Sequence, residues 1–330
     1  PRDEDDHIEW LLDHRQFEQA LEQAQKQQKL LKKYTPLGVG KKYLDFLLST
    51  EQFSQAGVLC TNILGRDKLL WQAEVIKFAR LKQLKVIAAH VPSGDHIKLD
   101  PAIYEMILFD FLKTDVEGFL QYIRQWPHDL YNLSAVANVV IEELLVQPDN
   151  QTLLRALATL YTYQRKYDKA MAMYLKLGHK DVFSLIRQHR LFKAVQDKIV
   201  ALINLDQQAA LQLFLEFQVE LPTELICSKL ENHQRQLFLY LDAVYSQDKS
   251  SLAGKYHGTL VRLLATFAPN KLLTFLKTSD EYPMAEALDE CSMRGMIPEK
   301  IYLLGRMGNT RSALELIMTE LVDVEQAVDF

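Results

Sequence analysis

Leu154-Arg155-Ala156-Leu157-Ala158-Thr159-Leu160-Tyr161-Thr162-Tyr163-Gln164-Arg165-Lys166-Tyr167-Asp168-Lys169-Ala170-Met171-Ala172-Met173-Tyr174 is the stretch that decides the fold. Leu157, Ala158, Tyr161, Ala170 and Tyr174 stand where a tetratricopeptide hairpin sets small residues of one helix against large residues of the other. The usual Trp position holds Leu154, so the unit over 151–177 is tetratricopeptide-like, not one member of a uniform array. Its joint, Tyr167-Asp168-Lys169-Ala170, has counterparts along the chain: Phe17-Glu18-Gln19-Ala20, Phe53-Ser54-Gln55-Ala56, Leu191-Phe192-Lys193-Ala194 and, more weakly, Thr310-Arg311-Ser312-Ala313. In all but the last, a large apolar residue follows a polar turn and a small residue comes three positions later. The small residue allows close helix approach and the large one plugs the turn. The step from Phe17 to Phe53 is 36 residues and that from Tyr167 to Leu191 is 24, which predicts an irregular repeat.

Composition points to the same class. Leu supplies 55 of 330 residues, while Gly (12) and Pro (10) are scarce. Apolar residues recur at helical spacing, as in Tyr43, Leu44, Leu47 and Leu48, or Ile103, Tyr104, Ile107, Leu108 and Phe111. No Asn-Gly, Asp-Gly or Gly-Gly pair offers a tight hairpin turn. Pro101, Pro222, Pro269 and Pro298 stand where a first helical turn tolerates a missing N–H. The expectation is an all-α chain, an irregular α-solenoid of antiparallel helix pairs running through residues 1–330 as one extended rod. Two loops, Val91-Pro92-Ser93-Gly94-Asp95 and Trp126-Pro127-His128-Asp129, read as bends in it, and Ser246 to Gly258 reads as a polar connection. The chain begins without Met and ends inside an amphipathic pattern, and so reads as a piece of something longer.

Several classes of chemistry are disfavoured. Cys60, Cys227 and Cys291 form no CxxC arrangement and are odd in number, which argues against a zinc site or a disulfide framework and for a reducing compartment. The longest apolar run, Leu130 to Ile141, is too short for a membrane span. Gly38-Val39-Gly40 lacks the third glycine of a dinucleotide loop and reads instead as a helix start packed closely on a neighbour. No GxxxxGK[ST], HExxH or GxSxG occurs. His179 and His189 read as helix-end residues before they read as metal ligands, and Glu142-Glu143 as a solvated helix edge. No catalytic, metal or cofactor site is assigned, and an enzyme is not expected.

Charge is uneven beneath a net of -5. Residues 23–44 carry six Lys and no acid, and residues 176–198 carry six basic residues against Asp181 and Asp197. Pro1–Trp10 and Arg311–Phe330 are acidic. Solvated helix faces are one reading; contact with acidic proteins or anionic lipid headgroups is the other. Nucleic acid is disfavoured, because the first basic stretch interleaves only Tyr34 and Tyr43. The candidate partner contacts are therefore Lys29, Lys32, Lys33, Arg187 and Arg190, with Trp126 as the expected exposed anchor; its alternative is a plug at a repeat end. Tyr161, Tyr163, Tyr167 and Tyr174 read as inter-helix core before they read as a peptide groove.

Six strings carry a resemblance: residues 3–12 (Asp3 to Leu12), Ile103 to Leu108, Ile123 to Asn132, Leu160 to Tyr163, His179 to Phe183 and Leu304 to Leu314. They resemble the vacuolar protein sorting forty-one family of HOPS tethering subunits from one end of the chain to the other. The resemblance implies a non-catalytic scaffold acting in vesicle, endosome and autophagosome fusion with the lysosome or vacuole. It implies an α-solenoid with a clathrin heavy-chain repeat, whose flanking β-propeller and RING module are not in this sequence. It also implies other HOPS subunits as partners, and for the full-length protein a vesicle adaptor complex and a late-endosomal Rab GTPase. Self-association is a further implication. So is a cytoplasmic protein held peripherally on late-endosomal and lysosomal membranes, without cofactor, transmembrane segment or nucleic acid. The alternatives are a peptide-binding tetratricopeptide-like adaptor and a self-associating, clathrin-like coat segment.

Overall fold

A computed structural model describes residues 4–94 and 96–321, so Asp3, Asp95 and the acidic end 322–330 lie outside the described residues. All regular structure among the described residues is helical, and the all-α class with paired helices is what the chain adopts. The chain forms two compact units, Pro1–Leu177 and Gly178–Phe330.

Local chemistry explains the helix starts. Thr35, Asp67, Asp115, Asn132, Asn150 and Asp206 each accept N–H bonds from the first turn they precede, so donors that the helix leaves orphaned are satisfied. Pro36, Pro101 and Pro269 open helices and Pro298 is second in one, where no N–H is missed; Pro222 sits one residue earlier, as an N-cap.

The joints share one device. Arg15, Glu51, Lys82, Arg165, Arg190, Gly295 and Gly308 all have left-handed backbone, with φ between 50° and 78°. The next residue at each joint donates its N–H to the carbonyl five positions back, at 2.8–3.2 Å: Gln16 to Leu11, Gln52 to Leu47, Gln83 to Phe78, Lys166 to Tyr161, Leu191 to Ile186, Met296 to Cys291 and Asn309 to Leu304. That is the long bond of a Schellman motif. The same residue then accepts the first bond of the following helix, as in Ala20 to Gln16 (2.9 Å), Ala56 to Gln52 (3.0 Å) and Ala170 to Lys166 (3.0 Å). One residue thus closes the first helix and opens the second, which reverses the chain in very few residues.

This geometry corrects one joint and adds two. With Arg190 as the left-handed residue, the plug is Phe192 and the residue facing the partner helix is Val195, one position beyond the expected Leu191 and Ala194. The joints at Lys82 and Gly295 escape the small-residue pattern, because Ile87 and Lys300 occupy its small position. Ala20, Ala56, Ala170 and Ala313 are fully buried, as close approach requires. Five of the seven left-handed residues carry a Cβ, which costs about 1–2 kcal/mol there. Arg165→Gly should therefore raise stability by about 0.5–1 kcal/mol after the added unfolded-state entropy, read as a higher urea midpoint at unchanged slope. Gly308→Ala should lower it by a similar amount.

In the first unit the tetratricopeptide-like pair is the helices Gln151–Tyr163 and Tyr167–Leu177, with Leu154, Leu157, Ala158, Tyr161 and Ala170 all buried between them and their neighbours. Gly40, in the helix Pro36–Ser49, is where Ile63 of the helix Phe53–Ile63 comes close: a Cβ there would lie 2.9 Å from the Ile63 side chain. Gly40 thus marks close packing on a neighbour, as read from its context, whereas Gly38 is exposed and lies beside only the Thr35 cap hydroxyl.

The second unit is sealed around His257, which opens the helix His257–Phe267. Its Nε2 lies 3.1 Å from the Leu252 carbonyl, which can only accept, so Nε2 carries the hydrogen. Nδ1 then accepts from the Ser279 hydroxyl at 2.6 Å. The rings of Tyr245 and Phe275 pack on the imidazole, each at 5.8 Å between centroids. At the far end Ile301, Leu304, Ala313 and Ile317 form a further buried cluster.

Candidate interaction surfaces

The two oppositely charged stretches at the start of the chain meet each other. Asp5, in the first turn of the helix Glu4–Asp13, accepts three successive backbone N–H groups, from Lys32 (2.9 Å), Lys33 (3.1 Å) and Tyr34 (3.1 Å). Such a run of N–H groups is an anion-binding concavity, and a carboxylate of the same chain fills it. Burial pushes the Asp5 carboxyl up, but the three N–H donors and the Lys32 charge hold it below its ordinary value. The carboxylate therefore supports this loop above the ordinary carboxylate range and loses that role as acid protonates it. Glu9 adds an ion pair to Lys33 at 2.8 Å. Lys33 and Lys42 also lie over the Tyr34 ring, at 5.2 and 5.3 Å from its centroid.

The candidate contacts divide accordingly. Lys33 is engaged by Glu9, and the Lys32 backbone by Asp5. The side chains of Lys29 and Lys32 are exposed and form no ion pair among the described residues. In the second unit Arg187 pairs with Glu216 at 3.1 Å, tying the helix Asp181–His189 to the helix Gln207–Glu216, and Lys180 pairs with Asp206 at 2.6 Å. Arg190 is exposed but its backbone is the left-handed joint residue. The basic stretches are thus partly spent on holding helices together.

Trp126 is not an exposed anchor: only 5% of it is accessible. Its ring meets Tyr104 edge-on at 5.3 Å and Tyr122 at 4.9 Å, and the Tyr122 ring continues to Phe111 at 4.9 Å. The Tyr104 hydroxyl donates to the Pro92 carbonyl at 2.6 Å and accepts the Leu99 N–H at 3.2 Å. Both loops singled out for proline therefore close on one aromatic cluster, and Trp126 is the plug. The exposed indole of the chain is Trp10, half accessible and stacked on His14 at 4.1 Å. Its place one turn after Asp6 and one before Asp13 on a polar helix face was a usable signal. Tyr161 is buried beneath Lys169, as an inter-helix residue.

Residues 38–330 match the family model described as the Vps41 TPR-like region. The chain belongs to the Vps41 family. It is 41% identical over 329 residues to the vacuolar protein sorting-associated protein 41 homologs of Mus musculus and of Homo sapiens, covering 100% of this chain and 38% of each relative. The Solanum lycopersicum homolog is 32% identical over 342 residues, with 100% of this chain and 35% of the relative covered. The Vps41-family chain thus spans under two-fifths of the length of these relatives.

What this Vps41 TPR-like region offers chemically is packing and charge. Among the described residues no three His, Cys, Asp or Glu side chains converge on a common point that would hold a metal ion. His179 lies 3.2 Å from Asp181 at a helix start, and His189 is in the last turn of the same helix. Burial pushes the Cys60 and Cys227 thiols up to about 12 and the Cys291 thiol to about 11, with the Glu74 and Glu299 carboxylates adding to the shifts at Cys60 and Cys291. All three are buried and protonated at neutral pH, and hence poor nucleophiles. At pH 8 an aromatic disulfide reagent should titrate none of them within minutes and all three after denaturation.

Proposed function

We propose that this chain is the helical-repeat section of a vacuolar protein sorting subunit and works there as a non-catalytic scaffold. Its task is protein–protein association within a HOPS-type tether that brings vesicles, endosomes and autophagosomes to the lysosome or vacuole. The observation that carries this is the end-to-end match to relatives named for vacuolar protein sorting. Paired helices with grooves and charged edges suit such a role, since a repeat array presents large surfaces without needing a reactive centre. Other subunits of the tether, an adaptor complex and a late-endosomal Rab GTPase are the partners proposed for the full-length protein. The proposed location is the cytoplasmic face of late-endosomal and lysosomal membranes. No helix among the described residues is long and apolar enough to cross a bilayer.

The test is a chimera in which residues 1–330 replace the matching segment of the human relative in cells lacking that protein. The expected result is restored delivery of cargo to lysosomes and co-isolation of the sorting complex. A chimera that accumulates at normal levels but restores neither would overturn the proposal.

A further inference from the structure

The helix Lys68–Arg80 is apolar on two sides. Trp71, Val75 and Phe78 point into the first unit and are buried. Leu69, Ala73 and Ile76 lie on the opposite side, with Leu69 75% and Ile76 40% accessible and Ala73 exposed. At 100° and 1.5 Å per residue, Leu69, Ala73, Ile76 and Arg80 fall within an arc of about 60°, and the apolar part runs about 10 Å. A helix packed on one side only ordinarily turns polar residues outward. Here the outward stripe is large–small–large, and the gap over Ala73 is shaped to receive a side chain from a second helix.

Around the stripe, basic side chains without an ion pair outnumber the acids. Arg66, Arg80 and Lys82 are exposed and form no ion pair among the described residues. The acids nearby are engaged: Asp67 accepts the N–H groups of Leu69 and Leu70, Glu74 is buried against Lys77, and Asp100 holds Lys68 at 2.6 Å. We propose that this face docks an amphipathic helix of a partner protein that carries aliphatic residues at i, i+3 or i+4 and i+7, with Asp or Glu beside them. One aliphatic side chain fills the gap over Ala73, and the partner's acids reach Arg66 at one end and Arg80 and Lys82 at the other. An extended peptide has no sheet edge to join here. A bilayer suits the face less, because the stripe is short and has no aromatic residue to anchor at headgroup level. The inference is independent of the sorting role.

The test titrates the chain into labelled helical peptides of roughly 20 residues that share one leucine stripe and differ only in Glu, Gln or Lys flanks. Anisotropy at about 150 mM salt should rank Glu-flanked over Gln-flanked over Lys-flanked, with about tenfold between the first two. Leu69→Gln and Ile76→Gln should each weaken the Glu-flanked peptide about tenfold at unchanged helicity, and Arg80→Glu should erase the preference for Glu flanks. Equal binding of the three peptides, no binding of the Glu-flanked one, or indifference to both Gln substitutions would overturn the proposal. So would co-sedimentation with vesicles about one-third phosphatidylserine that Ile76→Gln abolishes while peptide binding is absent.

Discussion

Lys77→Met is expected to lower the stability of the first unit by about 1–3 kcal/mol, because it strips buried Glu74 of its partner while Lys77 itself is partly solvated. The Lys77 ammonium sits 3.0 Å from Glu74 on its own helix and 2.9 Å from Asp45 on the helix Pro36–Ser49. Its partners differ in what they lose. The Glu74 side chain is 3% accessible, so without Lys77 it becomes an uncompensated buried carboxylate; the Asp45 side chain, 61% accessible, returns to water. Asp45→Asn should therefore cost no more than about 1 kcal/mol. The double variant Glu74→Leu with Lys77→Met should recover most of the loss, because it removes the buried charge together with its partner. All three Trp residues (Trp10, Trp71 and Trp126) lie in the first unit, so tryptophan fluorescence in a urea titration reads this unit alone. Burial pulls the Lys77 ammonium down, but its two carboxylate partners hold it above its ordinary value. The sign follows from that direction: the pair's contribution is full below the ordinary lysine range near 10.4 and fades as pH rises through the elevated value. A Lys77→Met protein with an unchanged midpoint would refute the buried-pair account.

Trp126→Ala should cost about 3–5 kcal/mol, the range for truncating a large buried aromatic residue. The loss has two sources: the ring's contacts with Tyr104 and Tyr122, and the cavity left where the two proline loops close. Trp10→Ala serves as the matched control, since a half-exposed ring stacked on His14 should cost well under about 1 kcal/mol. Far-UV dichroism reads both variants, each of which removes one fluorophore. Equal midpoints for the two would mean that Trp126 contributes no more than a surface residue, and the cluster would not be the plug described above.

Much of the architecture was legible because it rests on short-range rules. Pro101 and Pro269 open their helices, and Ala20, Ala56 and Ala170 lie at their joints where spacing placed them. The left-handed residues were not legible. Arg15, Glu51, Lys82, Arg165 and Arg190 are types with no preference for that conformation, and the long Schellman bond forces it on them. The candidate contacts were the least legible part. Lys33 and Arg187 looked like free charges because Glu9 and Glu216, their partners, lie 24 and 29 positions away.

The sequence by itself determined the helical class, the pairing of helices and, through strings spread over its length, the family. Those follow from periodicity, capping and turn chemistry, which act over a few residues. Only the tertiary structure decided that Trp126 is core and Trp10 surface, that Asp5 occupies the loop at Lys32 to Tyr34, and that Leu69 and Ile76 face outward. Burial and ion pairing depend on which helices stack, and an apolar stripe reads the same in sequence whether a neighbouring helix covers it or leaves it open.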